Sequence, residues 1–298
     1  MITLYANGGL GNQLFNYAAA RTLADRKKTS LIIDAVSYRH QWSPDAGRQH
    51  LLHRFPVRAN FRNLEPEGPK KPLISRVARR LREDAFTTIV NRGADEVGFF
   101  QDFLQLGSRT ILKGHFISPS FFAGNEQRIR QDLNLGVEIL EPDSKALETL
   151  AALEGIEKSI GVHVRRGDLL KPEFRSRLLS NMVLYYRRAF SQFILALGNP
   201  VFWVFSDDPE WCRSNLCDFD ADIRVIDRLS DREDDPIKDF FLMSRCHSFI
   251  IANSAFSWWS AWLGSRPGKH VVAPSKWENH ENGWDSDLIP AGWERVSW

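Results

Sequence analysis

The sequence predicts an α/β fold built on parallel sheets, and three observations predict it. Short β-branched and aromatic runs recur along the chain, apolar residues at helical spacing fill the intervals, and glycine-containing turns punctuate both. The 298 residues suffice for one large domain or two of ordinary size, and 43% hydrophobic with 26% charged residues supplies sizeable cores. No internal repeat is visible.

Taken in order, Ile2-Thr-Leu-Tyr5 reads as a strand, with Gly8, Gly9 and Gly11 forming the turn after it. Residues 12–25 place Leu14, Phe15, Ala18, Ala19 and Leu23 at helical spacing, and Leu31-Ile-Ile-Asp34 is the next strand. Strand, glycine turn, helix and strand in succession make a Rossmann-like half. The spacing is not G-x-G-x-x-G, and no Gly-Lys-Ser/Thr follows, which disfavours a P-loop kinase or sulfotransferase. Residues 38–101 are poorly periodic, and 65–72 are loop. Beyond that loop, Ile74, Val77, Ala78 and Leu81 recur at helical spacing between Arg76, Arg79, Arg80 and Arg82. A solvated face on a core-packed helix is the simpler reading, and peripheral contact with the cytoplasmic membrane surface is the other.

Residues 111–117 read as a strand and 141–153 as a helix, and the turn at Glu154-Gly155 places a domain boundary near residue 155. The expected domains are therefore 1–155 and 156–298. The second half continues in alternation, with strands at 160–164, 201–205, 223–226, 248–252 and 270–273. Helices at 185–197, 209–214, 236–246 and 257–263 separate them, which makes a second Rossmann-like half.

The bulk properties exclude several classes. A net charge of +2, from 39 basic and 37 acidic residues, gives no argument for nucleic-acid binding. Cys212, Cys217 and Cys246 form neither a disulfide framework nor a zinc-site spacing, so a reducing compartment is expected. Without a signal-like N-terminus or an apolar stretch near 18 residues, the expectation is a soluble cytoplasmic protein, with the basic helix allowing peripheral attachment at the inner membrane. Six of the ten tryptophans, Trp258, Trp259, Trp262, Trp277, Trp284 and Trp293, lie close together near the end, where core packing is a simpler account than stacking on sugar rings.

The segment Ser159-Ile-Gly-Val-His-Val-Arg-Arg-Gly-Asp168 carries the most chemistry. A buried strand ends in two arginines, and a desolvated guanidinium is costly unless an anion neutralises it. Its planar fork fits phosphate oxygens two at a time, and ligands of open α/β sheets gather at the carboxyl ends of strands. The alternative is an arginine bridged to a domain-interface carboxylate. The run Ala252-Asn-Ser-Ala-Phe-Ser257 also follows a strand and opens a helix, where backbone N–H groups make an anion site. Ser254 or Ser257 would serve as N-cap in the simpler reading, and the two readings are compatible. Asp218-Phe-Asp-Ala-Asp222 matches a metal-binding Asp-x-Asp pattern by letter, but it precedes its strand and reads as a solvated acidic loop. Asp207-Asp208, beside Pro209, could cap the next helix or touch substrate.

His163-Val-Arg-Arg-Gly-Asp168 resembles the H-x-R-R-x-D motif of α1,2- and α1,6-fucosyltransferases and protein O-fucosyltransferases. Gly8-Gly-Leu-Gly-Asn-Gln-Leu-Phe-Asn-Tyr17 resembles the opening block of glycosyltransferase family 11, the α1,2-fucosyltransferases. Asp239-Phe-Phe-Leu-Met-Ser-Arg-Cys and residues 250–263 resemble that family's third block. The three blocks occur in family order across nearly the whole chain. The resemblance implies a glycosyltransferase-B architecture, two Rossmann-like domains facing a central cleft, with the acceptor on the first domain and the GDP-sugar on the second. It implies an inverting transfer of L-fucose from GDP-β-L-fucose to the 2-hydroxyl of a galactose-type acceptor, with no metal or other cofactor.

By the same resemblance Arg165 meets the β-phosphate, and Asp239 accepts hydrogen bonds from guanine N1 and N2. His163 lies near the nucleotide, though a lone strand histidine is more often packing. Arg166 contacts the nucleotide or braces the loop. Asn12 reaches the sugar-diphosphate, or is an N-cap. Gly9, Gly11, Asn253, Ser254 and Ser257 complete the donor-binding set. Asp168 is the first candidate for the base, or orients Arg165, and Glu173 is the second. Another GDP-sugar or linkage on the same scaffold, or a non-catalytic carbohydrate-binding relative, is the alternative.

Overall fold

The computed structural model describes residues 1–39, 48–64, 87–93, 96, 98–172, 175, 179, 181–227, 236–277 and 287–297. They form two compact units, Met1–Asn134 and Leu135–Trp298. The first contains β1 (Ile2–Tyr5), α1 (Leu10–Arg26), β2 (Leu31–Asp34), β3 (Asn60–Arg62), β4 (Thr88–Arg92), β5 (Thr110–Gly114) and α2 (Glu126–Asp132). Its sheet runs β3-β2-β1-β5-β4, with every pair parallel. The expected helix at 74–82 lies outside the described residues.

Helix α1 is buried along most of its length, polar residues included. That is tolerable only because those residues are hydrogen-bonded. Asn16 donates through Nδ2 to Asn7 Oδ1 at 2.7 Å and accepts from the Phe116 backbone N–H at 3.0 Å. It thereby ties the loop after β1 to the loop after β5. The Tyr17 hydroxyl donates to Asp132 Oδ2 at 2.8 Å, fastening α1 to α2.

The second unit contains α3 (Ser144–Glu154), β6 (Ser159–Val164), α4 (Met182–Leu197), β7 (Val201–Ser206), α5 (Pro209–Leu216) and β8 (Asp222–Val225). It continues with α6 (Ile237–Ser244), β9 (Ser248–Ile250), α7 (Ala255–Leu263), β10 (Val271–Pro274) and β11 (Glu294–Val296). All pairs are parallel in the order β11-β10-β9-β6-β7-β8. The division falls between Asn134 and Leu135 instead of near residue 155, because α3 packs with the second unit. Asp143, which caps α3 through the Ala146 N–H, receives Lys238 of α6 at 2.7 Å.

Period-2 alternation gives β6 two different faces. Ile160, Val162 and Val164 pack with Tyr185, Tyr186, Ala189 and Phe190 of α4 in one apolar cluster. The Tyr186 hydroxyl donates to the His163 carbonyl at 2.7 Å and the Tyr185 hydroxyl to the Ile251 carbonyl at 2.6 Å. The opposite face carries Gly161 and His163, where the chain at the end of α6 comes close. A Cβ at Gly161 would lie 3.0 Å from Cys246 Sγ and 3.2 Å from its Cβ. Gly161→Ala should therefore destabilise the protein by about 1–3 kcal/mol through overpacking. Urea unfolding measures it, and an unchanged midpoint would contradict this close approach.

Candidate functional site

In a parallel sheet every strand delivers its carboxyl end to the same edge. In the second unit β6 has β9 on one side and β7 on the other. The connections after β6 and β9 therefore leave in opposite directions, which opens a crevice where ligands of such sheets bind. The two motifs singled out in the sequence, 163–168 and 252–257, follow β6 and β9 and meet at this switch point.

Strand β6 is buried at all six residues, and the two arginines after it are half-buried. They have different surroundings. Arg166 Nε donates to Asp208 Oδ2 at 2.9 Å, and its guanidinium lies 4.2 Å from the centre of the Trp211 ring. Its side chain is only 17% exposed, so this ion pair is shielded well beyond an ordinary surface pair. The Arg166 backbone N–H donates to Asp207 Oδ1 at 2.8 Å. Asp208 also caps α5, accepting from the Trp211 N–H at 3.1 Å. Arg166 thus has the bracing geometry of its two expected roles, and Asp208 has the capping one. Asp168 opens a single helical turn, Asp168–Leu170. Glu173 lies outside the described residues.

Across the switch point, Ser254 is the N-cap residue of α7, yet its side chain caps no backbone amide. The Ser257 hydroxyl is turned to backbone carbonyls, those of Ser254 at 3.2 Å and Ala252 at 3.4 Å. Neither serine therefore competes as a side-chain cap for the first-turn N–H groups of α7, the groups that receive anions at helix N-termini. Asn253 is buried and donates through Nδ2 to the Trp277 carbonyl at 3.0 Å, joining the loops after β9 and β10. The His163 ring lies 4.9 Å from that of Phe256 in α7, which lies 5.5 Å from Phe240 in α6. This stack brings the first turn of α6, with half-buried Asp239, beside β6 and α7. Among the described residues His163 Nδ1 is buried without a hydrogen-bond partner.

The first unit holds the remaining candidates in the turn after β1 and the first turn of α1. Gly8 adopts φ +75°, and a Cβ there would lie 2.8 Å from Asn12 Nδ2. The turn is clamped at its carbonyl, where Gly8 accepts from Tyr38 Oη at 2.7 Å and Gln13 Nε2 at 3.1 Å. Gln13 also binds the Gln49 carbonyl and the Leu51 N–H. A Cβ at Gly9 would meet nothing within 4 Å, so internal sterics do not demand glycine at that position. Gly11 lies buried in α1, and Asn12, half-buried, follows it in the first turn.

Sequence reasoning missed Trp211, Phe256, Gln13 and Asn16 as site-shaping residues. The block Gly8–Tyr17 that carries the family resemblance contains the last two and was the signal for them, whereas nothing local distinguished Phe256 from a core aromatic. Among the described residues, no group of three or more His, Cys, Asp or Glu is placed to hold a metal ion. In the acidic loop Asp218 pairs with Arg187 and Asp222 with Arg224. No helix among the described residues is long and apolar enough to cross a membrane.

A model of glycosyl transferase family 11 matches residues 102–296. A relative from Escherichia coli, the O-antigen biosynthesis glycosyltransferase WbnK, is 30% identical, the match covering 91% of this chain and 93% of that one. The chain belongs to glycosyltransferase family 11. It is also 26% identical to an α-1,2-colitosyltransferase from Escherichia coli over 97% of its length and 96% of the relative's. A galactoside α-(1,2)-fucosyltransferase 1 from Ateles belzebuth is 31% identical over 55% of this chain and 45% of its own. Among solved structures, the NodZ α-1,6-fucosyltransferase soaked with GDP-fucose superposes with a TM-score of 0.50 at 17% identity, covering 94% of this chain and 97% of that one. The fold is the glycosyltransferase-B type, with two parallel-sheet α/β units.

Burial drives the His163 pKa down to about 3, with Arg165 adding to the effect, and drives His50 to about 3 with help from His53. Both rings are neutral at neutral pH. Below the ordinary value near 6.5 the unfolded chain takes up protons that the folded protein refuses. The contribution of these rings is thus complete above pH 6.5 and is lost as pH falls from there toward 3. Each buried histidine should remove about 2 kcal/mol of stability between pH 7 and pH 5. Urea unfolding at the two pH values, on the wild type and on His50→Phe, measures this, and an identical pH dependence in the two proteins would contradict it.

Proposed function

We propose that the protein transfers L-fucose from GDP-β-L-fucose to the 2-hydroxyl of a galactose-type acceptor, with inversion and without a metal ion. The observation that carries this reading is the convergence at one switch point of the arginine loop after β6, a helix N-terminus whose N-cap Ser254 makes no side-chain cap, and a buried His163 nitrogen without a hydrogen-bond partner among the described residues. The arginine loop and the helix N-terminus favour an anion, and the histidine nitrogen favours a hydrogen-bonding group. The names of the family relatives supply the sugar and the linkage, and the O-antigen glycosyltransferase supplies a glycan acceptor.

In this reading Arg165 binds the β-phosphate, and the first turn of α7, with Asn253, Ser254 and Ser257, supplies backbone donors to the diphosphate. Charge that develops as the glycosidic bond breaks meets groups already oriented, which spares their reorganisation. Asp239 selects guanine, because a carboxylate complements paired N1–H and N2–H donors that adenine lacks. Asn12, Gly9 and Gly11 serve the sugar-diphosphate from the first unit, which also holds the acceptor. Asp168 accepts the acceptor proton ahead of Glu173. The reaction takes place in the cytoplasm at the inner face of the membrane, where a lipid-linked acceptor would be presented.

A second reading has a specific observation behind it. The match to an α-1,2-colitosyltransferase covers nearly the whole of both chains. Colitose is L-fucose without its 3-hydroxyl, so the two donors share the diphosphate and base and differ at one oxygen.

Calorimetric titration without divalent metal should show binding of GDP and none of comparable strength for ADP or UDP. Asp239→Ala should abolish that preference, and unselective binding by the wild type would move the carbohydrate-binding reading ahead. With GDP-fucose and a β-galactoside, Arg165→Ala should lower kcat by about 100- to 1,000-fold. EDTA should leave wild-type turnover unchanged, and strong inhibition by EDTA would overturn the metal-independent mechanism. Faster transfer from GDP-colitose than from GDP-fucose would establish the second reading.

A further inference from the structure

The two aspartates after β7 are absent from the functional assignment above, yet their oxygens are directed at the arginine loop. We propose that Asp207, with Asp208 and Trp211, positions Arg165 by clamping Arg166. The proposal rests on the reading of Arg165 as the diphosphate ligand.

Arg165 is the single residue between two fixed points. On one side is Val164, fully buried at the end of β6 and in register with Ser206. On the other is Arg166, held through both backbone groups and its side chain. Its N–H donates to Asp207 Oδ1 at 2.8 Å, and its carbonyl accepts the Leu170 N–H at 3.0 Å. Its guanidinium lies between Asp208, at 2.9 Å, and the Trp211 ring, at 4.2 Å. The loop lies against the Asp207 carboxylate so closely that a Cβ on Gly167 would fall 2.7 Å from Oδ2. The clamp is itself anchored, because Asp208 caps α5 and its N–H donates to Ser206 Oγ at 3.0 Å. With its two neighbours fixed, the Cα–Cβ bond of Arg165 leaves the backbone in a set direction before any ligand arrives. An arginine on an already ordered backbone loses less entropy when it binds a diphosphate.

This role predicts that Asp207 matters only through Arg165, which a double-mutant cycle reads directly. The measured quantity is GDP affinity by calorimetry, with thermal melting to show that each variant is folded. Asp207→Ala should weaken GDP binding about tenfold in the wild-type background and less than about twofold in Arg165→Ala. Asp207→Asn keeps an oxygen for the Arg166 N–H and should restore affinity to within about threefold of wild type. An equal loss in both backgrounds would overturn the proposal, as would Asp207→Asn binding no better than Asp207→Ala, which would mean that the charge acts on the ligand. If Arg165→Ala binds GDP as well as wild type, the diphosphate reading of Arg165 fails and the positioning role falls with it. Should Asp207→Ala not fold, Arg166→Gln, which leaves the backbone bond and removes the guanidinium from Asp208 and Trp211, enters the cycle with the same expected non-additivity.

Discussion

The second unit depends on neutralising a guanidinium at the mouth of a buried strand. Every residue of β6 is out of water, and Arg166 follows two residues after Val164, the last of the strand, with its side chain largely enclosed. A charge so placed is tolerable when a carboxylate meets it with good geometry and further contacts complete its surroundings. Asp208 supplies the carboxylate, Trp211 the aromatic face, and Asp207 the acceptor for the backbone N–H. All three follow β7, and β7 can deliver them only because it lies parallel to β6 with Val164 opposite Ser206. The electrostatics of the loop and the register of the sheet are one constraint.

Neighbouring features serve the same strand ends from the other side. Two adjacent tyrosines on α4 reach through the core to the carbonyls of His163 and Ile251, which stand where β6 and β9 are running out of partners. A buried carbonyl left unbonded there would cost about 1–3 kcal/mol. On the opposite face Gly161 lets the chain at the end of α6 approach, and Phe256, itself packed on Phe240, meets the His163 ring. Packing thus fixes the positions of both loops, and the chemistry proposed for them needs that rigidity.

Much of this was legible along the chain because the signals were local. The strands β1, β2 and β6 are short apolar runs bounded by glycine or charge, and α4, α6 and α7 carry long apolar patterns. The strands β3, β4 and β11 were not legible. Each lies at a sheet edge with mostly exposed or half-exposed residues, so neither alternation nor an apolar run marked it. The division of the compact units at residue 134 was not legible for a related reason. The turn at residue 155 is a local break, whereas the allegiance of α3 to α6 rests on a contact between Asp143 and Lys238, 95 positions apart.

The candidate site divides in the same way. The sequence by itself determined which chemical groups exist at the carboxyl ends of β1, β6 and β9, because residue type and strand periodicity are written in consecutive positions. Tertiary structure decided what each group is committed to. It paired Arg166 with Asp208, gave Asn253 to the Trp277 carbonyl, and made Gly8 the turn glycine with a left-handed backbone. Those commitments depend on partners brought in by strand register and helix packing. Hydrogen bonds and ion pairs act over a few ångströms of space, and that distance has no fixed relation to separation along the chain.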